Sequence, residues 1–264
     1  MRSSDLRNTD LVGTDLTSAD LVGTNLTNVD LGYVDLTDAD LGNSNLTNAN
    51  LRYANLTNAD LSSSYLTNVF LRYADLTNAF LRYADLTNAD LFGANLTNAD
   101  LDNANLKDAF LRYTDLTNAN LLGSDLTDTD LRFAYLTNAN LLGSDLTNAK
   151  LFSTNLIDAN LRVTDFTNGN LSYADLSGAD LFGANLTNTD LINSNLTNAN
   201  LLSIDLTNAD LRVANLTNVD LINAILDDTY FTCESLTDAN LINSIDLQKV
   251  RLFDSSGNEV SSCE

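Results

Sequence analysis

The chain has 264 residues with no histidine, proline or tryptophan and only two cysteines, and its 13 basic residues face 36 acidic ones for a net charge of −23. Without histidine there is no Ser-His-Asp triad, Cys-His pair or histidine-based zinc site, and two cysteines build neither a four-thiolate centre nor a disulfide framework. Charge this negative argues against direct binding of nucleic-acid phosphates or an anionic membrane surface.

In chain order, the opening MRSSDLRNTDL has no apolar run of the kind a signal peptide needs, and no later segment approaches the ~18 apolar residues of a membrane span. A cytoplasmic protein is therefore expected. From Leu6 onwards a five-residue repeat takes over. Of 48 consecutive positions spaced by five between Leu6 and Leu241, 46 are leucine and two are Phe166 and Phe231. Two residues before each centre sits a small side chain, alanine in 26 cases, and the residue just before it is Asp or Asn in 39.

A period of five suits neither regular element. On an α-helix five residues advance about 500°, so the leucines form no stripe. On a strand an odd period sends alternate leucines to opposite faces. The chain must bend once per pentad for every leucine to point inward. Asn or Gly two residues after many centres, as in Leu26-Thr27-Asn28 and Leu91-Phe92-Gly93, suits the left-handed backbone of a tight turn. A second period, of ten, sets the number of sides. Centres numbered with a final 6 are followed by Thr at 19 of 24 positions, whereas those ending in 1 have varied partners. That alternation stays in phase on a coil with an even number of sides, and four sides of five residues is the simplest solution.

The units Ala54-Asn55-Leu56-Thr57-Asn58 and Ala89-Asp90-Leu91-Phe92-Gly93 resemble the pentapeptide-repeat family. The resemblance implies an all-β fold, a right-handed quadrilateral β-helix of about 12 coils of 20 residues, with the central and small residues inside. At ~4.8 Å per coil the rod is roughly 58 Å long. Gly169, Ile204 and Glu234 replace the usual small residue, and Glu234, beside Cys233 and Phe231, predicts a distorted last coil. The repeat domain is assigned to residues 1–243 and a C-terminal cap to 244–264. Within the latter, Ile245-Asp246-Leu247 slips register by one, and Lys249 to Val260 reads as strand, turn, strand. In a reducing compartment Cys233 and Cys263 are expected as free thiols, a mutual or inter-chain disulfide being the alternative.

Sorting pentads by position modulo twenty places the charge. Sides centred on Leu6, Leu11, Leu16 and Leu21 carry −8, 0, −9 and −5. The neutral side holds Arg52, Arg72, Arg112, Arg132, Lys150 and Arg212, together with Tyr33, Tyr53, Phe70, Tyr73, Phe92, Phe110, Tyr113, Phe133, Phe152 and Tyr173. Two readings stand side by side. In one the rings stack on one another with arginines laid over them. In the other, Arg52, Tyr53, Phe70, Arg72, Tyr73, Phe110, Arg112, Tyr113, Arg132 and Phe133 form a contact stripe for a partner or an antiparallel homodimer, since aromatic and arginine enrichment marks interface cores.

No catalytic, cofactor-binding or metal-binding residue is assigned, because the carboxylates lie on flat walls without an asymmetric pair. The expected function is a non-enzymatic interaction or scaffold protein. The family resemblance implies an alternative, modulation of DNA gyrase or topoisomerase by DNA mimicry. Members acting in that way commonly dimerise through a C-terminal module, whereas the tail here is short. End-to-end assembly through the open N-terminal edge is a third possibility.

Overall fold

The computed structural model describes residues 1–238 and 249–263. Its logic is legible in a single pentad by asking where each backbone N–H goes. Ala54 donates to Leu51 O at 3.1 Å, closing the preceding turn. Asn55 donates to Val34 O at 2.9 Å in the coil below, while Leu56 and Asn58 donate to Asp75 O and Thr77 O in the coil above, at 2.6 and 3.0 Å. The N–H of Thr57 is taken by the side chain of Asn55, 3.1 Å away. Every backbone donor of this pentad is satisfied within the rod, as a densely stacked backbone favours.

This explains the preference for Asp or Asn before each centre. Its side-chain oxygen is the acceptor for the one N–H that faces neither neighbouring coil, the short-range pattern that Asx residues favour. From Asn8 to Asp228 the residue two after each centre is left-handed, for example φ +56° at Asn58 and +57° at Tyr73. Together with the bond closing each turn, a positive φ there is the signature of a type II turn.

Bridges link residues twenty apart in parallel, from Asp5↔Asn25 to Asp205↔Ile225. Four pentads therefore make one circuit, with each side stacked on its own equivalent. Inside, the centres form a dry column: Leu76 and Leu136 are both 0% exposed. Each such leucine contributes roughly 1.5–3 kcal/mol of transfer free energy. Several buried hydroxyls at the small-residue position donate to main-chain carbonyls, as Ser144 does to Leu141 O at 2.7 Å and Thr114 to Leu91 O at 2.9 Å, whereas the hydroxyls of Ser44 and Ser194 are buried without a partner. Phe166 is accommodated with Gly169 after its turn, where a Cβ would lie 2.8 Å from Phe166 O.

The coil geometry ends sooner than the leucine period. Strand β1 (Asp210–Leu211) pairs in parallel with β2 (Thr229–Thr232), and helix α1 (Cys233–Asp238) follows directly. The last coil is thus replaced at Glu234, as its sequence predicts, but Glu234 is exposed and not interior; a helical turn carries the carboxylate out of the core. Beyond it, β3 (Val250–Phe253) runs parallel to β2, with Leu252 opposite Phe231, and β4 (Glu259–Val260) returns antiparallel. The turn between them is organised by Asp254, which accepts from the N–H groups of Ser256 at 2.9 Å and Asn258 at 2.8 Å. The expected register slip at Ile245–Leu247 and the centre at Leu241 lie outside the described residues.

The expectation of free thiols is corrected. Cys233 and Cys263 form a disulfide, their Cα atoms 5.3 Å apart across 30 residues of sequence. The hairpin folds back over β2 and brings the end of the chain to the start of α1, a proximity that spacing alone does not reveal.

Candidate interaction face

All ten stripe residues lie on the side centred on Leu11, in three parallel rows. The outermost row occupies the left-handed turn position. There Tyr33 stacks on Tyr53 at 4.9 Å between centroids, Tyr53 on Tyr73 at 5.3 Å, and Tyr113 on Phe133 at 5.1 Å. The column has gaps where this position is Gly93 or Ser153. Each gap is closed by the preceding residue: Phe92 meets Tyr73 and Tyr113 edge-on at 5.6 and 5.5 Å, and Phe152 bridges Phe133 and Tyr173 at 5.6 and 5.3 Å. One ring column therefore runs from Tyr33 to Tyr173. Left-handed φ values at tyrosine and phenylalanine are unfavourable, and ring stacking offsets that strain.

The second row holds Arg52, Arg72, Arg112 and Arg132, and the third, the bridging row, holds Phe70 and Phe110. Arg52 lies 4.6 Å above the Phe70 ring, Arg72 5.5 Å from Phe92 and Arg112 5.6 Å from Tyr113. The stacking and the cation–π contacts anticipated from sequence are thus both present. Phe70 and Phe110, 37% and 52% exposed, take no place in the ring column.

Two residues outside the anticipated set control the charge. Asp130 accepts from Arg132 Nε at 2.7 Å and Nη2 at 2.6 Å, and Asp90 accepts from Arg72 Nε at 2.6 Å. Burial pushes the Asp130 carboxyl upward, but the Arg132 hydrogen bonds outweigh it and hold the group below the usual range. Their signal is in the sequence: an arginine after a centre meets the bridging residue of its own pentad or that of the next coil, 18 residues on. Phe70, Arg72, Asp90, Phe92, Phe110, Arg112, Asp130 and Arg132 together line an open groove of about 860 Å³, with Asn68 and Asn88 at its corner.

The flanking sides are built differently. Thr-Asn pairs dominate, and the asparagines form amide ladders, such as Asn78 to Asn58 at 3.1 Å and Asn98 to Asn78 at 3.1 Å. Among the described residues, no cluster of three or more His, Cys, Asp or Glu side chains is arranged to hold a metal, and no helix is long and apolar enough to cross a membrane.

A family model for pentapeptide repeats matches the chain in eight copies between residues 1 and 254. Among solved structures, HetL, a pentapeptide-repeat protein involved in heterocyst differentiation regulation from the cyanobacterium Nostoc, is 34% identical over 86% of this chain and 89% of its own, with a TM-score of 0.24. Rfr23 of the cyanobacterium Cyanothece is 40% identical over 37% of this chain and 64% of its own, at a TM-score of 0.22. QnrB1, a plasmid-mediated fluoroquinolone resistance protein, is 19% identical over 92% of this chain and 100% of its own, at a TM-score of 0.47. No curated protein matches.

Proposed function

Because the chain belongs to the pentapeptide-repeat family, we propose that it acts as a non-enzymatic contact element, a rigid acidic rod that engages a macromolecular partner or a second copy through the side centred on Leu11. The observation that carries this reading is an exposed ring column on the one neutral wall of a chain with net charge −23. Tyr33, Tyr53 and Tyr173 leave 65%, 48% and 56% of their surface in solvent. Intramolecular stacking uses the faces of these rings and leaves their edges and hydroxyls available, as aromatic anchors at interfaces require. Among the described residues the interior is filled with leucine and the carboxylates lie on the outer walls, an arrangement unlike the water-poor pocket that an acid–base pair requires.

Replacing Tyr73 and Tyr113 by glutamate, with Tyr83→Glu on the opposite side as control, tests the assignment. Pull-down from native cells and light scattering of the purified rod should show partner capture or self-association lost only in the double variant. Equal behaviour of the two variants sinks the reading.

A second reading, mimicry of DNA towards a gyrase-like enzyme, draws on the two opposite acidic sides, where carboxylates such as Asp125, Asp145 and Asp165 are bridge partners in successive coils. About one net charge per 2.5 Å of a roughly 58 Å rod approaches the ~1.7 Å spacing of duplex DNA. It predicts salt-sensitive inhibition of supercoiling, and no inhibition at low salt removes it. Disulfides persist mainly in oxidising compartments, so Cys233–Cys263 weighs against the cytoplasmic setting expected from the sequence.

A further inference from the structure

We propose that the groove around Arg112 binds an acidic peptide segment, its carboxylate held by the Arg112 guanidinium and a neighbouring apolar side chain lodged between Phe70 and Phe110. The proposal rests on the reading of this side as a contact surface and names the chemistry of what it contacts.

The groove has an identifiable origin. At the level of Leu91 the ring column meets Gly93, and Tyr73 leans into the space that a Cβ would occupy, 2.8 Å from Tyr73 Cε1. Phe92 turns to close the column, contacting Tyr73 and Tyr113 edge-on. It thereby leaves the arginine row open between Arg72 and Arg112. In the bridging row the same level carries Asp90, a short side chain between Phe70 and Phe110. The result is a depression with aromatic side chains at both ends and guanidinium groups along one edge.

Its charge does not balance. Three guanidinium groups, Arg72, Arg112 and Arg132, meet two carboxylates. Asp90 is engaged by Arg72, and both oxygens of Asp130 are engaged by Arg132. Asp130 is also the carboxylate that the spacing rule offers to Arg112, since Phe110 stands where Arg112 would find one in its own pentad. Arg132 has taken it. Among the described residues Arg112 forms no ion pair, and its Nε is buried without an acceptor. A guanidinium without an ion-pair partner matches the paired oxygens of an incoming carboxylate.

The dimensions suit an extended peptide. From the level of Phe70 to that of Arg132 is three coil steps, about 14 Å, the reach of roughly four extended residues. Alternate side chains of such a segment face the same way, so an acidic residue two places from an aromatic one presents both to the groove. A nucleic-acid backbone is disfavoured, because a line of phosphates needs a row of unpaired cations, and here Arg72 and Arg132 are already held by Asp90 and Asp130.

Fluorescence anisotropy on the full chain, with a labelled Asp-Ser-Phe-Ser-Asp peptide, its counterpart with Asn for Asp, and a labelled thymidine decamer, tests the assignment. We expect the acidic peptide to bind best and Arg112→Gln to weaken it about tenfold, the size of a charge-assisted hydrogen bond. Arg112→Lys should fall between, and Arg162→Gln on the opposite side should match wild type. Equal binding of the acidic and neutral peptides overturns the proposal, as do no measurable peptide binding, tighter binding of the decamer, or an Arg112→Gln protein that binds like wild type. Self-association of the wild type that Arg112→Gln abolishes would assign the groove to a second copy and also overturn it. If the peptide fails while the Tyr73/Tyr113 double variant still loses its partner, this side remains a contact surface and only its proposed ligand is wrong.

Discussion

The sides centred on Leu16 and on Leu11 share a backbone and an interior, yet they complete their turns by different means. On the Leu16 side an Asp or Asn before the centre accepts the outward N–H, as Asp115 does from Thr117 at 2.9 Å, and asparagines one turn position on form a ladder, as Asn118 does to Asn98 at 3.2 Å. The Leu11 side gives up that acceptor at Phe70, Phe110 and Lys150 and carries tyrosines in left-handed geometry, for example φ +60° at Tyr53. Ring stacking and cation–π contacts stand in for the lost polar bonds. A wall whose inward residues already specify the coil can change its outer chemistry completely. On the acidic wall the turn acceptor comes from the same pentad, whereas each ring in the aromatic wall depends on the coils above and below.

The strongest way to break this comparison is to attack what the two walls are said to share. Leu116→Ala on one side and Leu131→Ala on the other should each destabilise the rod by about 2–5 kcal/mol in denaturant unfolding. A consistent gap between the two walls would show that the interior is not common to them. Next in size is the contrast between the self-templated coils and the tail. Cys233→Ser, which opens a loop spanning 30 residues, is expected to lower the stability of the terminal sheet by about 2–4 kcal/mol. Hydrogen exchange should report the loss in β3 and β4 and leave the coils around Leu76 unchanged.

Smaller effects separate the outer chemistries. Asp115→Ala removes a turn acceptor and should cost about 1 kcal/mol, whereas Phe110→Asn supplies one to Arg112 N and should gain about 0.5–1 kcal/mol; opposite signs in thermal unfolding are the readout. The least effect is on pH. The Thr17 hydroxyl and N–H hold the Asp15 carboxyl below its ordinary range. A depressed folded pKa means that this stabilisation is present above the ordinary carboxylate value, about 4, and lost as pH falls through the lower folded one. The Thr17 amide resonance should therefore titrate below pH ~4. The amide of Phe152, two residues beyond Lys150, should show no such local step.

Much of this was written in the chain. The leucine period dictated a bend every five residues, the alternation of Thr-bearing centres indicated four sides, and Lys249 to Val260 read as strand, turn, strand. The position of the ring stripe and its arginines followed from counting modulo twenty. Less legible were α1, the Cys233–Cys263 bond, the rotation of Phe92 into the ring column and the isolation of Arg112. Each depends on a choice among partners that sequence spacing leaves equivalent.

By itself, then, the sequence determined the repeating unit, because whether a residue faces inward, bridges or turns is decided within five positions by size, polarity and tolerance of left-handed backbone. Tertiary structure alone decided which of two arginines keeps Asp130, which ring closes the gap at Gly93 and which distant thiol meets Cys233. Those outcomes set partners two residues apart against ones in the next coil, or join groups as much as 30 residues apart, and they are resolved only when stacked coils and a folded-back tail bring the rivals within a few ångströms.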